Sequence, residues 1–301
     1  MSIAIAFTLS ACAADPAEVA AKALTTVQGS IEQLGKRLDA RDLPNALVLN
    51  TYADKLASAN SEYRDLARLM KKEATRDGML FSGLETRAEN LKSALAAEDA
   101  LSSQSLQALG QEMQSLYGAA NPEEFNRALA DPVNVLADVS EGLLARVDSV
   151  SSGASKIANN AGDFGPASQL VGNPNYGQWR SGSSGTSFWV WYGQYALIRT
   201  LLGGPRIGYG DWAGRRDYSY YHDYGRENYT SPNARTRQAG VEHRARTKFS
   251  SQGRQFQSPY ARKRSGASAS VARQKFASRS TGKSSVRGWG SGSSRGPRRG
   301  K

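Results

Sequence analysis

The sequence predicts an all-α fold, an elongated antiparallel helical bundle or coiled coil of about four or five helices. A largely disordered tail rich in Gly, Ser, Arg and Tyr is expected to follow it. In the first half, apolar residues recur at spacings of three and four, which places them on one face of a helix. After Asn159-Asn160 this periodicity stops, and Gly, Ser, Arg and Tyr replace the aliphatic residues.

Five apolar stripes predict the helices of a domain over residues 16–158. Alternation of three and four over several turns is the pattern of a coiled-coil seam or a long bundle. Charged residues interleave between the stripes, as they do on solvated helix surfaces. The stripes are Val27, Ile31, Leu34 and Leu38; Leu49, Tyr52, Leu56, Ala59, Tyr63, Leu66 and Met70; Phe81, Leu84, Ala88, Leu91 and Leu95; Leu106, Leu109, Met113 and Leu116; and Phe125, Leu129, Leu136, Leu143, Val147 and Val150.

Capping and breaking residues predict where these helices begin and end. Asp15 suits an N-cap, because Pro16 follows it at the first helical position. The breaks are expected at Gly78, Asn121-Pro122 and Asp131-Pro132. One long helix is expected from about residue 44 to residue 76.

Charge divides the chain into two unlike parts. Residues 1–160 carry 15 Lys+Arg and 21 Asp+Glu, whereas residues 161–301 carry 24 Lys+Arg and 6 Asp+Glu. Such asymmetry between halves is typical of a folded part joined to a basic interaction tail. The tail, residues 231–301, is expected to be disordered, because its apolar content is too low to offset the entropy of ordering.

Basic residues in the tail alternate with aromatic ones, a pattern typical of segments that bind polyanions. The ligand is left open by this pattern: anionic lipid, lipopolysaccharide or a cell-wall polymer outside the inner membrane, or RNA in the cytoplasm. A solubilising tail without a defined partner is the structural alternative. The candidate polyanion-binding residues are Arg244, Arg246, Lys248, Arg262, Lys263, Arg264, Arg298 and Arg299.

A Gly-rich and aromatic hinge is predicted over residues 159–230, and it contains the apolar segment 187–204. This segment is short for a membrane span. Trp and Tyr prefer the membrane–water boundary, so one interpretation is an interfacial segment lying on a membrane. The other is one short helix that packs back on the helical domain. The candidate membrane-interface residues are Phe188, Trp189, Trp191, Tyr192 and Tyr195.

The first residues of the sequence form a short apolar run, residues 3–9, followed by small residues and by Cys12, the only cysteine. Such a run suits a secretory signal. The order Leu9-Ser10-Ala11-Cys12 resembles the lipobox of bacterial lipoproteins. The resemblance implies that residues 1–11 are a signal peptide, that Cys12 becomes the lipidated first residue, and that residues 12–15 are a tether. It also implies a location in the cell envelope, with Ala13 resembling the outer-membrane sorting signal.

Catalytic motifs are absent from the sequence, which contains neither a phosphate-binding loop, nor a G-x-S-x-G elbow, nor H-E-x-x-H, nor a pair of cysteines. His222 and His243 alone do not make a metal site. We therefore expect a non-enzymatic envelope lipoprotein without cofactors, anchored through Cys12, whose tail binds an anionic surface or polymer. Two alternatives stay open: a scaffold that docks another helical protein, and a cytoplasmic nucleic-acid-binding protein.

Overall fold

The structure, a computed structural model, describes residues 15–97, 102–147, 160–182, 186–203 and 206–261. The fold is mostly helical and includes one two-stranded antiparallel sheet. The helices are α1 (Pro16–Asp39), α2 (Pro44–Ala59), α3 (Arg64–Lys72), α4 (Met79–Ala97), α5 (Ser103–Ala119), α6 (Pro122–Ala128), α7 (Ala130–Val139), α8 (Ala196–Leu202), α9 (Tyr209–Arg215), α10 (Arg226–Tyr229) and α11 (Pro232–Ser251), and the strands are β1 (Gly177–Ser181) and β2 (Ser187–Trp191).

Helix α1 forms as its sequence predicts. The Asp15 side chain accepts a hydrogen bond from the backbone N–H of Ala17 at 3.0 Å, and Pro16 occupies the first helical position. The predicted α1 stripe, from Val27 to Leu38, is buried against α4 and α5. Helix α2 packs in turn against α3 and α7. The spacing of three and four therefore identifies most of the buried positions, but Ala59 of the second predicted stripe and Leu143 of the fifth are exposed.

The predicted helix from about residue 44 to 76 is wrong, because α2 and α3 are separate helices. Asn60 adopts an extended conformation, and its side chain accepts from the backbone N–H of Glu62 to begin a 3₁₀ turn over Ser61–Tyr63. Asn favours such local caps over helix interiors. With this break, the described parts of residues 15–147 hold seven helices rather than four or five.

The other predicted breaks have mixed outcomes. Asn121 caps α6, as predicted, by accepting from the backbone N–H groups of Glu123 and Glu124. Asp131-Pro132 lies inside the first turn of α7, where proline is tolerated, and the helix boundary falls two residues earlier, at Leu129.

The apolar segment 187–204 is not one short helix. Its first five residues form β2, which pairs with β1 so that Trp189 faces Trp179 across the ladder, and α8 follows after a 3₁₀ turn. Aromatic and β-branched residues favour strands. At Gly177 of β1, a Cβ atom would lie 2.5 Å from the carbonyl oxygen of Val190 and 2.6 Å from the Trp189 ring. Glycine is needed there because the strands approach so closely.

The expectation of disorder from residue 231 onwards is wrong for residues 232–251, which form α11. Ser231 is its N-cap and accepts from the backbone N–H of Ala234. A narrow stripe of Ala234, Gln238 and Val241 faces inward and is buried. One stripe suffices to dock a helix, so low average apolar content did not prevent folding here.

Asp131 of α7 joins the two halves of the chain. Its carboxylate is 2% exposed and accepts from the Ser219 hydroxyl at 2.9 Å, the Tyr220 N–H at 2.8 Å and the Tyr221 N–H at 3.0 Å. These donors begin a π-helical turn over Tyr221–Gly225. Burial, which outweighs these hydrogen bonds, raises the pKa of Asp131 to about 7.

Two further buried contacts join the same halves. Arg146, in the chain after α7, forms ion pairs with Asp138 at 2.6 Å and with Asp217 at 3.5 Å. Between α3 and α4, the buried Glu73 accepts from the Tyr195 hydroxyl and from the backbone N–H groups of Met79 and Leu80. Burial raises the pKa of Glu73. The described residues between 160 and 261 are thus a docked part of the fold rather than a hinge and a loose tail.

We predict that Asp131 makes the fold less stable as the pH rises. Its pKa is higher in the folded state than in the unfolded chain, so between about pH 4 and pH 7 the folded state binds more protons. Its contribution to the free energy of unfolding should therefore fall over that range, by the order of a few kcal/mol. Urea unfolding of the parent and of Asp131→Asn measures this at pH 5 and pH 8.

The Asp131→Asn substitution should destabilise the fold at both pH values, because Asn offers one acceptor fewer to the N–H groups of Tyr220 and Tyr221. The penalty should be smaller at pH 8, where the parent also carries the cost of a buried charge. Glu85→Gln, which removes a carboxylate at an exposed position, is the control. An equal penalty at both pH values would show that Asp131 is already ionised at pH 5 and that burial does not raise its pKa.

Tyr195→Phe should lower the free energy of unfolding by about 1–3 kcal/mol, because the buried Glu73 carboxylate loses a donor. Tyr192→Phe is the matched control, since the half-buried Tyr192 hydroxyl makes no hydrogen bond within the described residues. Thermal unfolding of both variants at neutral pH provides the comparison. Equal midpoints would mean that the Tyr195–Glu73 contact does not support the fold.

Candidate polyanion-binding surface

Helix α11 presents a basic outer face. It carries five Arg or Lys residues and one acid, Glu242. On its inner face, Val241 packs in an apolar cluster with Trp212 and Val171. Gln238 donates to the Gly172 carbonyl at 3.2 Å and to the Tyr221 hydroxyl at 3.1 Å. These inner contacts determine which α11 side chains face the solvent.

Two arginines on that outer face have no acidic partner among the described residues. Arg237 and Arg244 are exposed, and neither forms a hydrogen bond or ion pair with another described residue. They lie two turns apart on one side of α11, about 10.5 Å along the axis at 1.5 Å per residue. Gly240 lies between them, and a Cβ atom there would lie 3.5 Å from Nη1 of Arg244. The Arg244 guanidinium therefore lies over bare backbone. We call Arg237, Gly240 and Arg244 the arginine face.

The other cations of α11 are engaged within the molecule. Arg246 pairs with Glu242 at 3.0 Å, and the Tyr209 hydroxyl donates to the same carboxylate at 3.4 Å. Burial, with the charge of Glu242 nearby, raises the pKa of Tyr209. Arg235 donates from Nε to the Thr230 carbonyl at 3.1 Å, and Lys248 is half-buried.

The predicted polyanion-binding residues are thus divided by the structure. Of those it describes, Arg244 is exposed without a partner, Arg246 is paired, and Lys248 is half-buried. Arg237 was missed by the sequence analysis, although its spacing of seven residues from Arg244 is a helical signal. The remaining candidates lie outside the described residues; they are Arg262, Lys263, Arg264, Arg298 and Arg299.

Aromatic rings near the end of α11 are covered by guanidinium groups. Phe249 and Phe256 meet edge to face at 5.4 Å between centroids. Arg254 lies 4.5 Å from the centroid of Phe249, and Arg246 lies 5.6 Å from that of Phe256. The same holds further along the chain, where the guanidinium of Arg226 lies 3.8 Å from the Tyr260 ring. These rings bind the protein's own cations by cation–π contacts.

The candidate membrane-interface residues face mostly inward. Trp189 is 6% exposed and Tyr195 is 1% exposed, so neither is available to a membrane in this structure. Phe188 is half-buried, and the Arg206 guanidinium lies 3.6 Å from its ring centroid. Trp191 and Tyr192 are half-buried and pack against the main core. Of the two interpretations of this segment, packing on the helical half describes its position.

Histidines and acids do not gather into a metal site within the described residues. His222 is buried, with Nε2 2.7 Å from the Val171 carbonyl oxygen and Nδ1 3.4 Å from the Tyr260 hydroxyl. His243 lies exposed on α11. Across the described ranges, no helix combines the length and the hydropathy needed to cross a bilayer.

The candidate lipidation residue, Cys12, and the signal peptide over residues 1–11 lie outside the described residues. The surface that the structure does describe is a basic helix with two unpaired arginines, supported by buried contacts to the rest of the fold. Comparison with known proteins finds no match to this chain among family models, curated proteins or solved structures.

Proposed function

We propose that this protein is a non-enzymatic lipoprotein of the bacterial envelope, anchored through Cys12, whose basic second half binds an anionic surface or polymer. The observation that supports this function best is the pair of exposed, unpaired arginines on α11, Arg237 and Arg244. An uncompensated cation gains most from a ligand that brings negative charge, because no internal ion pair has to break first.

The second half of the chain has few acidic residues to offset its positive charge. Residues 161–301 contain six acids, and the structure places three of them in contacts with arginine: Asp217 with Arg146, Asp223 with Arg216, and Glu242 with Arg246. Residues 262–301 add 12 Lys or Arg and no acid. A surface with an excess of one charge steers oppositely charged partners towards it.

The lipobox supports the anchoring part of the proposal. A single acyl chain holds a protein only marginally, at about 0.8 kcal/mol per buried CH₂, so durable anchoring needs the two or three chains that a lipoprotein cysteine carries. Helix α1 begins at Pro16. The tether between Cys12 and the folded helices would therefore be short, which would keep the start of α1 near the membrane that holds the anchor.

A scaffold that docks another protein is the second candidate, and two exposed leucines favour it. Leu47 of α2 is 49% exposed and Leu143, after α7, is 61% exposed. The Tyr52 hydroxyl of α2 donates to the Ala145 carbonyl at 3.0 Å, so the two segments are adjacent. Exposed apolar side chains of this kind mark contact surfaces when they form a patch. In this candidate, the basic half only aids localisation.

The anchor is tested by Cys12→Ser in the full chain. We expect the parent to incorporate labelled palmitate and to fractionate with membranes, and the variant to lose both properties, because the thiol is the acylation site. Ser10→Ala, which keeps a small residue before the cysteine, is the control. Membrane retention of an unlabelled parent would overturn lipidation as its cause.

The binding activity is tested with the full chain across a salt series, using polyphosphate, single-stranded DNA and anionic vesicles as probes. We expect the affinity for at least one probe to fall steeply with salt, because counterions are released when cations meet phosphates. A flat salt response would remove the electrostatic mechanism. The scaffold candidate instead predicts that Leu47→Asp changes partner capture while polyanion affinity is unchanged.

A further inference from the structure

We propose that the arginine face of α11, Arg237 with Gly240 and Arg244, is a docking site for a linear phosphate polymer in aqueous solution, recognised by charge alone. This inference rests on the proposed function in that it assumes polyanion binding. It goes further by naming the folded site, the chemical class of the ligand and the mode of recognition.

Two guanidinium groups on one side of α11 suit a ligand with repeated charges. The Cα atoms of Arg237 and Arg244 lie about 10.5 Å apart along the helix axis, and the Arg244 side chain extends back towards Gly240. Guanidinium is planar and binds phosphate oxygens through two parallel N–H donors. A chain of phosphates running along α11 engages both groups at once, and Gly240 adds no side chain of its own between them.

The surroundings of this face favour a polymer over a membrane surface. Helices that lie in a membrane interface need an apolar face with Trp, Phe or Leu. The apolar stripe of α11 faces the core through Val241, and the exposed positions near the arginines include Thr236, Ala239, His243 and Thr247, with no Trp, Phe or Leu among them. Trp189 and Tyr195, the nearest equivalents of interfacial anchors in the sequence, are buried. The arginine face therefore offers charge without a large apolar side chain.

The covered aromatic rings favour recognition by charge over stacking on bases. Proteins that bind single-stranded nucleic acid stack bases on open aromatic faces. Near α11, Phe249 and Phe256 pack on each other, and Arg254 and Arg246 lie over them. A base would have to displace a guanidinium to stack. Phosphate groups need no such displacement, so the polymer's backbone is what this surface recognises.

The first experiment compares two double variants of the full chain that remove the same charge. Arg237→Gln/Arg244→Gln alters the arginine face, whereas Lys55→Gln/Arg64→Gln removes two exposed cations from α2 and α3. The probe is polyphosphate of defined length at about 100 mM salt. We expect the affinity of the first variant to fall about tenfold or more, and that of the control to fall less than about threefold. The salt slope should decrease by about 1.4 for two lost contacts.

The second experiment changes Gly240 in two ways. Gly240→Glu places a carboxylate between the arginines, so polyphosphate binding should fall as far as in the double variant. Gly240→Ala should leave the affinity within about twofold, because the added Cβ has only ordinary contact with Arg244, and it should raise the melting temperature. Circular dichroism spectra and melting temperatures at or above that of the control establish that the binding variants are folded.

The outcomes separate this inference from the proposed function. If the parent binds polyphosphate and both double variants weaken equally, the inference is wrong while the proposed function stands. If the parent binds none of the probes, the proposed function fails as well. Tighter binding of single-stranded DNA than of polyphosphate at equal charge would show base stacking and overturn recognition by charge alone. Binding to anionic vesicles that requires the arginine face, without polyphosphate binding, would assign the face to a membrane instead.

Discussion

The buried carboxylate of Asp131, held by Ser219, Tyr220 and Tyr221, is the contact on which the arrangement of this chain depends. A carboxylate that leaves water is costly unless donors replace the lost hydration. Donors from a segment 88 or more residues away supply that replacement, so the contact forms only when the second half is in place. Buried polar contacts of this kind select one arrangement over its competitors rather than adding much net stability.

The Asp131 contact also affects which side chains of α11 face the solvent. The π-helical turn that begins beneath Asp131 also places Tyr221, whose hydroxyl receives the Gln238 side chain from α11. Helix α11 is thereby rotated so that Val241 faces the aromatic cluster and Arg244 faces the solvent. The exposure of these charges thus follows from hydrogen bonding and packing on the inner face of the helix, at Gln238 and Val241.

Much of the helical half could be predicted from its sequence, because its signals are local. The stripe from Val27 to Leu38 and the caps at Asp15 and Asn121 act within one or two turns. The pairing of β1 with β2 and the docking of α11 depend on partners distant in the chain, and composition does not report them. The high density of basic residues identified Arg244, but it also led to the wrong expectation of disorder. Both inferences used residue type alone and did not take account of the buried stripe that docks α11. Arg237 could be grouped with Arg244 only after the segment was recognised as a helix.

The contact that holds the end of the described chain, between Arg216 and Pro259, has a consequence for the binding of long ligands. The buried Arg216 donates to the Pro259 carbonyl at 2.6 Å and pairs with Asp223, so the backbone near residue 259 is held to the core. Ser251, at the end of α11, is only eight residues earlier. The basic residues beyond 261 therefore follow a chain position that is held to the fold close to the end of α11. If α11 binds a long polyanion as proposed, attachment of the same ligand to both segments would give slower dissociation than either segment achieves alone.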